Sequence, residues 1–435
     1  MTELEIIAAI TLFATFFALL CMGLPVVYCI GISSTVALLF HIDMIPAVTT
    51  ICQRMTTGID SFTLLAIPFF VLAGELMKQG GIADRLINLA RAIIGRMPGG
   101  LAYVNILSAM LFGAVSGSAV AAASAIGSIM TDRMENEGYP RTLSASINIT
   151  ASTTGLLIPP SNILIVYALA SGGTASVAAL FVAGYLPGFL TGLGLMITAS
   201  YITMKHKLPR RVRVPLNTVL KYFREAFWSL MLLVVVVGGI VVGVFTATEA
   251  AAIAVLYATI LAFIYNTIRI KDLSGILLKS GKTTAMVMAV ISTSMAMSWL
   301  FSFQGIPQAI TSFLLDTFSH PIAIFLIINI ILLIIGTFMD ISPAVLIFTP
   351  IFLPVVTSLG MDPVHFGIVI VLNLCIGICT PPVGTLLFVG SGIAKVNVSD
   401  VIRPLIPFLV TMIIVLMLIT YFPKLSLFLP ELFGL

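Results

Sequence analysis

Between Phe227 and Tyr265 the chain carries a single charged side chain, Glu249. Similar, nearly uncharged runs recur at 4–40, 174–204 and 402–420. A run of about 20 apolar residues is long enough to cross a bilayer as a helix. Inside the hydrocarbon every backbone group must be satisfied by the protein itself, which leaves only helices or closed barrels. Barrel strands read as short alternating segments, so these continuous runs define an all-α polytopic membrane protein. The composition agrees: 60% of residues are hydrophobic and 9% charged, with a mean hydropathy of +1.18, whereas soluble domains carry about a quarter charged residues. A net charge of +4 offers no patch for nucleic acid. The partner that the composition requires is the lipid bilayer.

Ten spans are predicted, at 4–23, 24–40, 60–77, 141–171, 174–204, 227–246, 248–268, 283–303, 363–394 and 402–423. Two further apolar segments, 100–131 and 321–358, have polar midpoints and are predicted to be re-entrant hairpins. With the N-terminus outside, only Arg54 and Lys424 of the 21 Lys and Arg fall on the outer side, a strong positive-inside bias. Turning either hairpin into a full crossing would place later basic segments outside. The loop "KHKLPRRVRVP" (205–215) anchors this topology and divides the halves. The semi-polar stretches 43–58, 80–97 and 270–282 are predicted to lie along the interface, with Trp228 and Trp299 as interfacial anchors. The N-terminal "MTELEIIAAI" lacks the basic region of a cleaved leader, so the first apolar stretch reads as a permanent span. Cys21, Cys29, Cys52, Cys375 and Cys379 show no CxxC spacing and are read as buried free thiols.

The apolar run that begins at 141 is interrupted by "GLLIPPSN" (155–162). Two adjacent prolines remove two donors and block helix continuation. "GICTPPVG" (377–384) repeats the device, and Gly138, Gly155, Pro159 and Pro160 map onto Gly360, Gly377, Pro381 and Pro382 at a constant offset of 222. "GGIADRLI" (80–87) falls opposite "QGIPQAIT" (304–311) at 224, and "FGAVSGSAV" (112–120) opposite "IGTFMDISP" (335–343) at 223. In the charge-derived topology the two halves run in opposite senses. Inverted-topology repeats with discontinuous helices are the signature of secondary transporters.

A broken helix at mid-membrane exposes carbonyls suited to Na⁺ at one half-helix end and amides suited to a carboxylate at the next. In the first repeat the candidate ligands are backbone and hydroxyl groups around Ser152, Thr153, Gly155, Pro159, Pro160, Ser161 and Asn162. In the second they are Gly377, Thr380, Pro381, Pro382 and Gly384. The first hairpin tip offers Ser116 and Ser118 flanking Gly117. The second offers Asp340, an ionisable group in an apolar segment and hence a functional candidate as cation ligand or proton site; "DISP" is equally good helix-start chemistry. Glu75 and Glu249 lie near span ends and are read as interfacial or helix-start residues. Asn148 and Asn373, in the helices leading into the breaks, are candidates either for bonds across helices or for ion binding. His41, His206, His320 and His365 fall near loops and form no proton relay. No phosphate-binding GxxxxGK[ST] loop is present, and no zinc-protease motif.

"TTGIDSFTLLAIPFFVLAGELM" (56–77), "FGAVSGSAVAAASAIG" (112–127), "GLLIPPSN", "GVFTATEAAA" (243–252), "GTFMDISPAVLIFTPIFLPV" (336–355) and "GICTPPVGTLLFV" (377–389) resemble the large membrane subunit of tripartite ATP-independent periplasmic (TRAP) transporters. One departure is Ala247, where the family's motif has proline, in Thr-Ala-Thr-Glu at 246–249. The resemblance implies a Na⁺-coupled inner-membrane importer of organic acids, C4-dicarboxylates or sialic acids, which is not an enzyme and uses no cofactor beyond Na⁺ as coupling ion. It further implies a periplasmic substrate-binding protein and a small four-helix membrane subunit, read here as a separate polypeptide. By the same resemblance the mechanism is elevator-type. The moving halves would be 98–171 and 321–394, and the scaffold 1–97, 172–320 (with a cytoplasmic loop at 205–226) and 395–435. Na⁺ would be held at Ser116 and Ser118 with Thr153 and Gly155, and at Gly336 and Asp340 with Gly377 and Thr380, and the solute would lie between the tips. Two other readings remain: a carrier of the same architecture that needs no binding protein, and a non-transporting membrane scaffold or enzyme.

Overall fold

The computed structural model describes residues 3–95, 99–205, 216–318 and 320–435. Most of the loop 205–215, with His206 and its cluster of basic residues, and Arg96 lie outside the described residues. Twenty α-helices and one 3-10 turn make up the described regular structure, with no strand among those residues.

Helices α1 (Glu3–Cys21), α2 (Val26–Leu38) and α3 (Met44–Ile59) come first. A 3-10 turn, Phe62–Leu65, then leads into α4 (Ala66–Gln79), and the short amphipathic α5 (Ile82–Ile94) follows. Next come a helical hairpin, α6 (Gly100–Ser116) and α7 (Ala119–Asn136), and a broken helix, α8 (Arg141–Thr154) and α9 (Asn162–Ala170). Three long helices, α10 (Val177–Lys205), α11 (Leu216–Val241) and α12 (Ala247–Ile264), connect to the second repeat. There the same order recurs: α13 (Ile270–Phe303), α14 (Ile306–Thr317), a hairpin of α15 (Pro321–Phe338) and α16 (Ile341–Ser358), and a broken helix of α17 (Pro363–Gly377) and α18 (Thr385–Ala394). The C-terminal α19 (Val398–Tyr421) and α20 (Lys424–Phe433) complete the chain.

The repeat is visible in the backbone. Gly81 and Gly305 start α5 and α14 with φ of 67° and 65°, and Gly138 and Gly360 turn with φ of 84° and 85°. Its antiparallel sense follows from two reciprocal ties. The Arg141 guanidinium, at the start of α8, donates to the Ala394 carbonyl at the end of α18 (3.1 Å). The Tyr167 hydroxyl, near the end of α9, donates to the Pro363 carbonyl at the start of α17 (2.6 Å). The beginning of each broken helix therefore lies beside the end of the other. Each second half packs into the opposite repeat, α9 on α16 and α18 on α7.

Eight described helices are long and apolar enough to cross a membrane, and α15 and α16 are two of them. Their connection makes them a hairpin. The amide of Gly384, in the break midway along α17–α18, donates to the carbonyl of Thr337 at the hairpin tip (3.0 Å).

Several sequence expectations are corrected. Residues 270–282 are not a separate interfacial segment but the first turns of α13, a continuous helix of 34 residues; no proline interrupts it, and at 1.5 Å per residue it is about 50 Å long. Residues 216–226 of the expected cytoplasmic loop are already helical. Cys21 and Cys52 are exposed, and only Cys29, Cys375 and Cys379 are buried thiols. His365 is buried in the first turn of α17, its Nδ1 2.9 Å from the Ser426 hydroxyl of α20. Glu249 behaves as expected. Its carboxylate accepts from the Thr246 amide (2.8 Å) and the Thr246 hydroxyl accepts from the Glu249 amide (3.3 Å), a complete capping box without the proline.

Candidate functional site

The structure gathers the proposed residues into two clusters, one per repeat. In the first, α6 crosses the end of α8 at Gly113 and Gly155, so closely that a methyl group on Gly113 would lie 2.7 Å from the Gly155 Cα. The chain then reverses at Gly117, whose φ of 60° is open to glycine at no steric cost. A methyl there would meet the Asn162 side-chain nitrogen at 3.0 Å, so the first tip sits directly on the start of α9. On its other side, a methyl on Gly74 of α4 would lie 3.2 Å from Ser116 Cα and carbonyl oxygen. The Ser116 hydroxyl donates to the Ser118 carbonyl (3.4 Å), and the Ser118 hydroxyl caps α7 by accepting from the Ala121 amide (3.3 Å).

The hydroxyls of Ser152, Thr153 and Thr154 each donate to their own helix, to the carbonyls of Asn148, Thr150 and Ala151. Residues Gly155 to Ser161, with the cis Pro159–Pro160 bond, are all buried. Two buried polar atoms at the end of this break, Ser161 Oγ and Asn162 Oδ1, have no hydrogen-bond partner. Buried polar atoms are nearly always satisfied by protein, water or a ligand.

The second cluster has the same plan. Gly336 of α15 crosses Gly377 of α17, and a methyl on Gly377 would lie 2.5 Å from the Gly336 Cα. Leu386 donates back across the break to the Ile378 carbonyl (3.1 Å), and the Thr380 hydroxyl donates to the Ile376 carbonyl (2.8 Å). Asp340 is the N-cap of α16, with its carboxylate accepting from the Ile341 amide (2.9 Å).

The clusters differ in exposure. Pro382 and Val383 are exposed where the first break is enclosed, because α10 covers the first. Gly184 and Gly188 let that helix lie against Leu157 and Ile158. Asp340 is exposed at the second tip, so its carboxylate is open to the exterior. No group of three His, Cys, Asp or Glu among the described residues could hold a transition metal. The donors present are hydroxyls, carbonyls and one carboxylate, a set that fits a hard cation.

Both asparagines bond across helices as expected. Asn148 donates to the Ala123 carbonyl of α7 (2.9 Å), and Asn373 donates to the Asn329 carbonyl (3.0 Å) and side-chain oxygen (2.7 Å) of α15. Glu75 joins α4 to α13 through Lys279 (2.6 Å). The close-packing glycines Gly74, Gly113, Gly184 and Gly188 were not singled out from the sequence. Only Gly113 had a signal there, its offset of 223 from Gly336.

Antiparallel repeats, each with a hairpin tip laid against a broken helix, define a secondary transporter of the inverted-repeat type. The model of the tripartite ATP-independent periplasmic transporter DctM component matches residues 13–425. Rhodobacter capsulatus has a C4-dicarboxylate TRAP transporter large permease protein, DctM, that is 39% identical, the match covering 98% of this chain and all of that one. A Salmonella typhimurium protein of unassigned role, YgiK, is 52% identical over 425 residues, 98% of each chain. The crystal structure of the Alcanivorax borkumensis YdaH transporter shares the fold, with a TM-score of 0.64 at 14% identity over 88% of this chain and 89% of that one. The chain belongs to the DctM family of TRAP transporter large permease subunits.

Proposed function

We propose that this chain is the transporting subunit of a Na⁺-coupled importer of a carboxylate-bearing organic acid, of the C4-dicarboxylate or sialic acid class. The observation that carries this reading is the placement of both hairpin tips against both helix breaks, Gly117 on Asn162 and Thr337 on Gly384. One Na⁺ binds at the first tip and break, near Ser116, Ser118, Thr153 and Gly155. Another binds at the second, near Gly336, Asp340, Gly377 and Thr380. The solute carboxylate lies between the tips, against the α9 and α18 N-termini and the unpartnered Ser161 hydroxyl, which can donate to it, with Asn162, Pro159, Pro160, Pro381, Pro382 and Gly384 forming the walls. Helix N-termini favour such anions.

The segments 98–171 and 321–394 move together as an elevator against the remaining helices. A separate small four-helix membrane subunit completes the scaffold, and a periplasmic binding protein delivers the solute. The chain lies in the inner membrane with its N-terminus in the periplasm, which the distribution of Lys and Arg supports. The test is uptake of labelled acid into proteoliposomes containing the chain, the small subunit and loaded binding protein. Uptake should require an inward Na⁺ gradient. Equal accumulation without Na⁺ would sink the coupling, and accumulation without the binding protein would sink the delivery step.

A further inference from the structure

Behind the first break the protein leaves a space that its own side chains do not fill. A cavity of about 490 Å³ lies between α6, the break, α10, α11 and α20. Its inner wall is formed by Met110 and Ala114 of α6, Ile158 and Pro159 of the break and Val237 of α11. Nearly all of the lining is apolar. Water gains little in such a space, because it needs two to four polar partners. The volume is that of a ligand site rather than a packing defect.

The cavity opens sideways. Its rim includes Phe189, Val234 and Val242, which are 49%, 62% and 77% exposed on, or for Val242 just past the end of, apolar helices long enough to span a membrane. The space thus opens onto the exposed apolar flank of α10 and α11. Gly238 lines the cavity on α11, and a methyl group there would meet no atom within 4 Å, so a bulkier side chain at this position would project into the open space. A glycine inside a helix costs about 1 kcal/mol relative to alanine, and at this position it leaves room for something other than protein.

We propose that a phospholipid acyl chain from the bilayer occupies this cavity and forms the back wall of the first helix break. The head group stays at the rim, because the lining holds no charged group to receive it. The broken helix then rests on protein at Gly184 and on lipid at Pro159.

The test uses the full chain in vesicles of phosphatidylethanolamine and phosphatidylglycerol that contain a phospholipid with a diazirine midway along one acyl chain. After illumination, labelled peptides are mapped by mass spectrometry. Label is expected on Met110, Ile158 and Val237 of the inner wall as well as on the outward-facing Leu256 and Ile260. Gly238→Phe should lower inner-wall labelling by about tenfold, the loss that follows when burial of roughly two methylenes is denied, and leave α12 labelling unchanged. Gly238→Ala, which adds one carbon in open space, should retain the inner-wall label; if Gly238→Phe does not fold, Gly238→Leu takes its place. An unlabelled inner wall, or labelling indifferent to the bulky side chain, overturns the proposal. So does loss of the label when other membrane subunits are co-expressed, because a protein helix would then be the occupant.

Discussion

Thr153 and Cys375 hold the same position in the two repeats and touch each other. The Cys375 thiol points at the Thr153 carbonyl across 3.8 Å. Equivalent residues that meet mark the pseudo-two-fold axis relating the repeats. The Cys379 thiol, at the start of the second break, points at the Ile149 carbonyl, also 3.8 Å away, so the end of α8 lies across the end of α17 and the start of its break. Both breaks therefore begin at one crossing. The proposed ion sites consequently flank a single centre rather than occupying two remote pockets, which is the arrangement needed if both are to act on one solute.

The glycine crossings make the first prediction. Gly113→Ala and Gly377→Ala each place a methyl within 2.7 Å of a facing glycine Cα. Overpacking of this kind costs about 1–3 kcal/mol, and here it pushes a hairpin tip away from its break. Both variants should melt at lower temperature than the parent and lose uptake. Gly275→Ala on α13, where a methyl meets nothing within 4 Å, should do neither. Identical melting curves for all three would show that the crossings are looser than described.

Asn373 donates twice to Asn329, whose own amide donates to the Phe325 carbonyl (2.9 Å) and the Thr420 hydroxyl (3.3 Å). Removing one partner leaves a buried acceptor unsatisfied, at about 1–3 kcal/mol. The double variant Asn329→Leu, Asn373→Leu should therefore destabilise the chain by less than the sum of the two single variants. A double-mutant cycle in denaturant or heat reads the coupling. Strict additivity would mean that the two side chains do not act as a unit.

Much of the site plan is legible in the sequence because prolines and glycines act locally. The offsets of 222 to 224 place both tips, both breaks and the left-handed Gly81 and Gly305 correctly. Contacts between distant segments are not legible in this way. The enclosure of the first break depends on Gly184 and Gly188 lying against Leu157 and Ile158, and periodicity carries no trace of that meeting. The length of α13 is hidden in the sequence for a different reason. Its polar first turns resemble an interfacial helix in composition, yet nothing between Ile270 and Phe303 stops a helix. Burial of His365 under α20 likewise depends on a bond to Ser426, 61 residues away.

Lys279 and Glu75 provide a prediction about the framework. The Glu75 side chain is only 13% exposed, and it accepts from Lys279 at 2.6 Å and from Gln79 at 3.0 Å. Lys279→Met strands a largely enclosed carboxylate, whereas Glu75→Gln leaves a neutral group that can still bond Gln79. The first change should destabilise the chain by about 1–3 kcal/mol and the second by less. The paired variant Glu75→Gln, Lys279→Met should recover most of the loss. Thermal melts of the four proteins check the order, and an equal loss in both single variants would contradict it.

Asp340 separates two roles that coincide in one side chain. As an N-cap it accepts from the Ile341 amide, a function asparagine performs about as well and alanine loses at a cost of about 1 kcal/mol. As the proposed Na⁺ ligand it contributes a charge that asparagine lacks. Asp340→Asn should therefore fold with nearly the parent's melting temperature while the Na⁺ concentration for half-maximal uptake rises by about tenfold or more, the factor that corresponds to about 1.4 kcal/mol of lost ion affinity. Asp340→Ala should show that same shift together with a lower melting temperature. Uptake in proteoliposomes over a Na⁺ series, with melts of the same preparations, distinguishes the outcomes. A parent-like Na⁺ dependence in Asp340→Asn would leave Asp340 as a helix cap alone and move the second ion site to the carbonyls of the break.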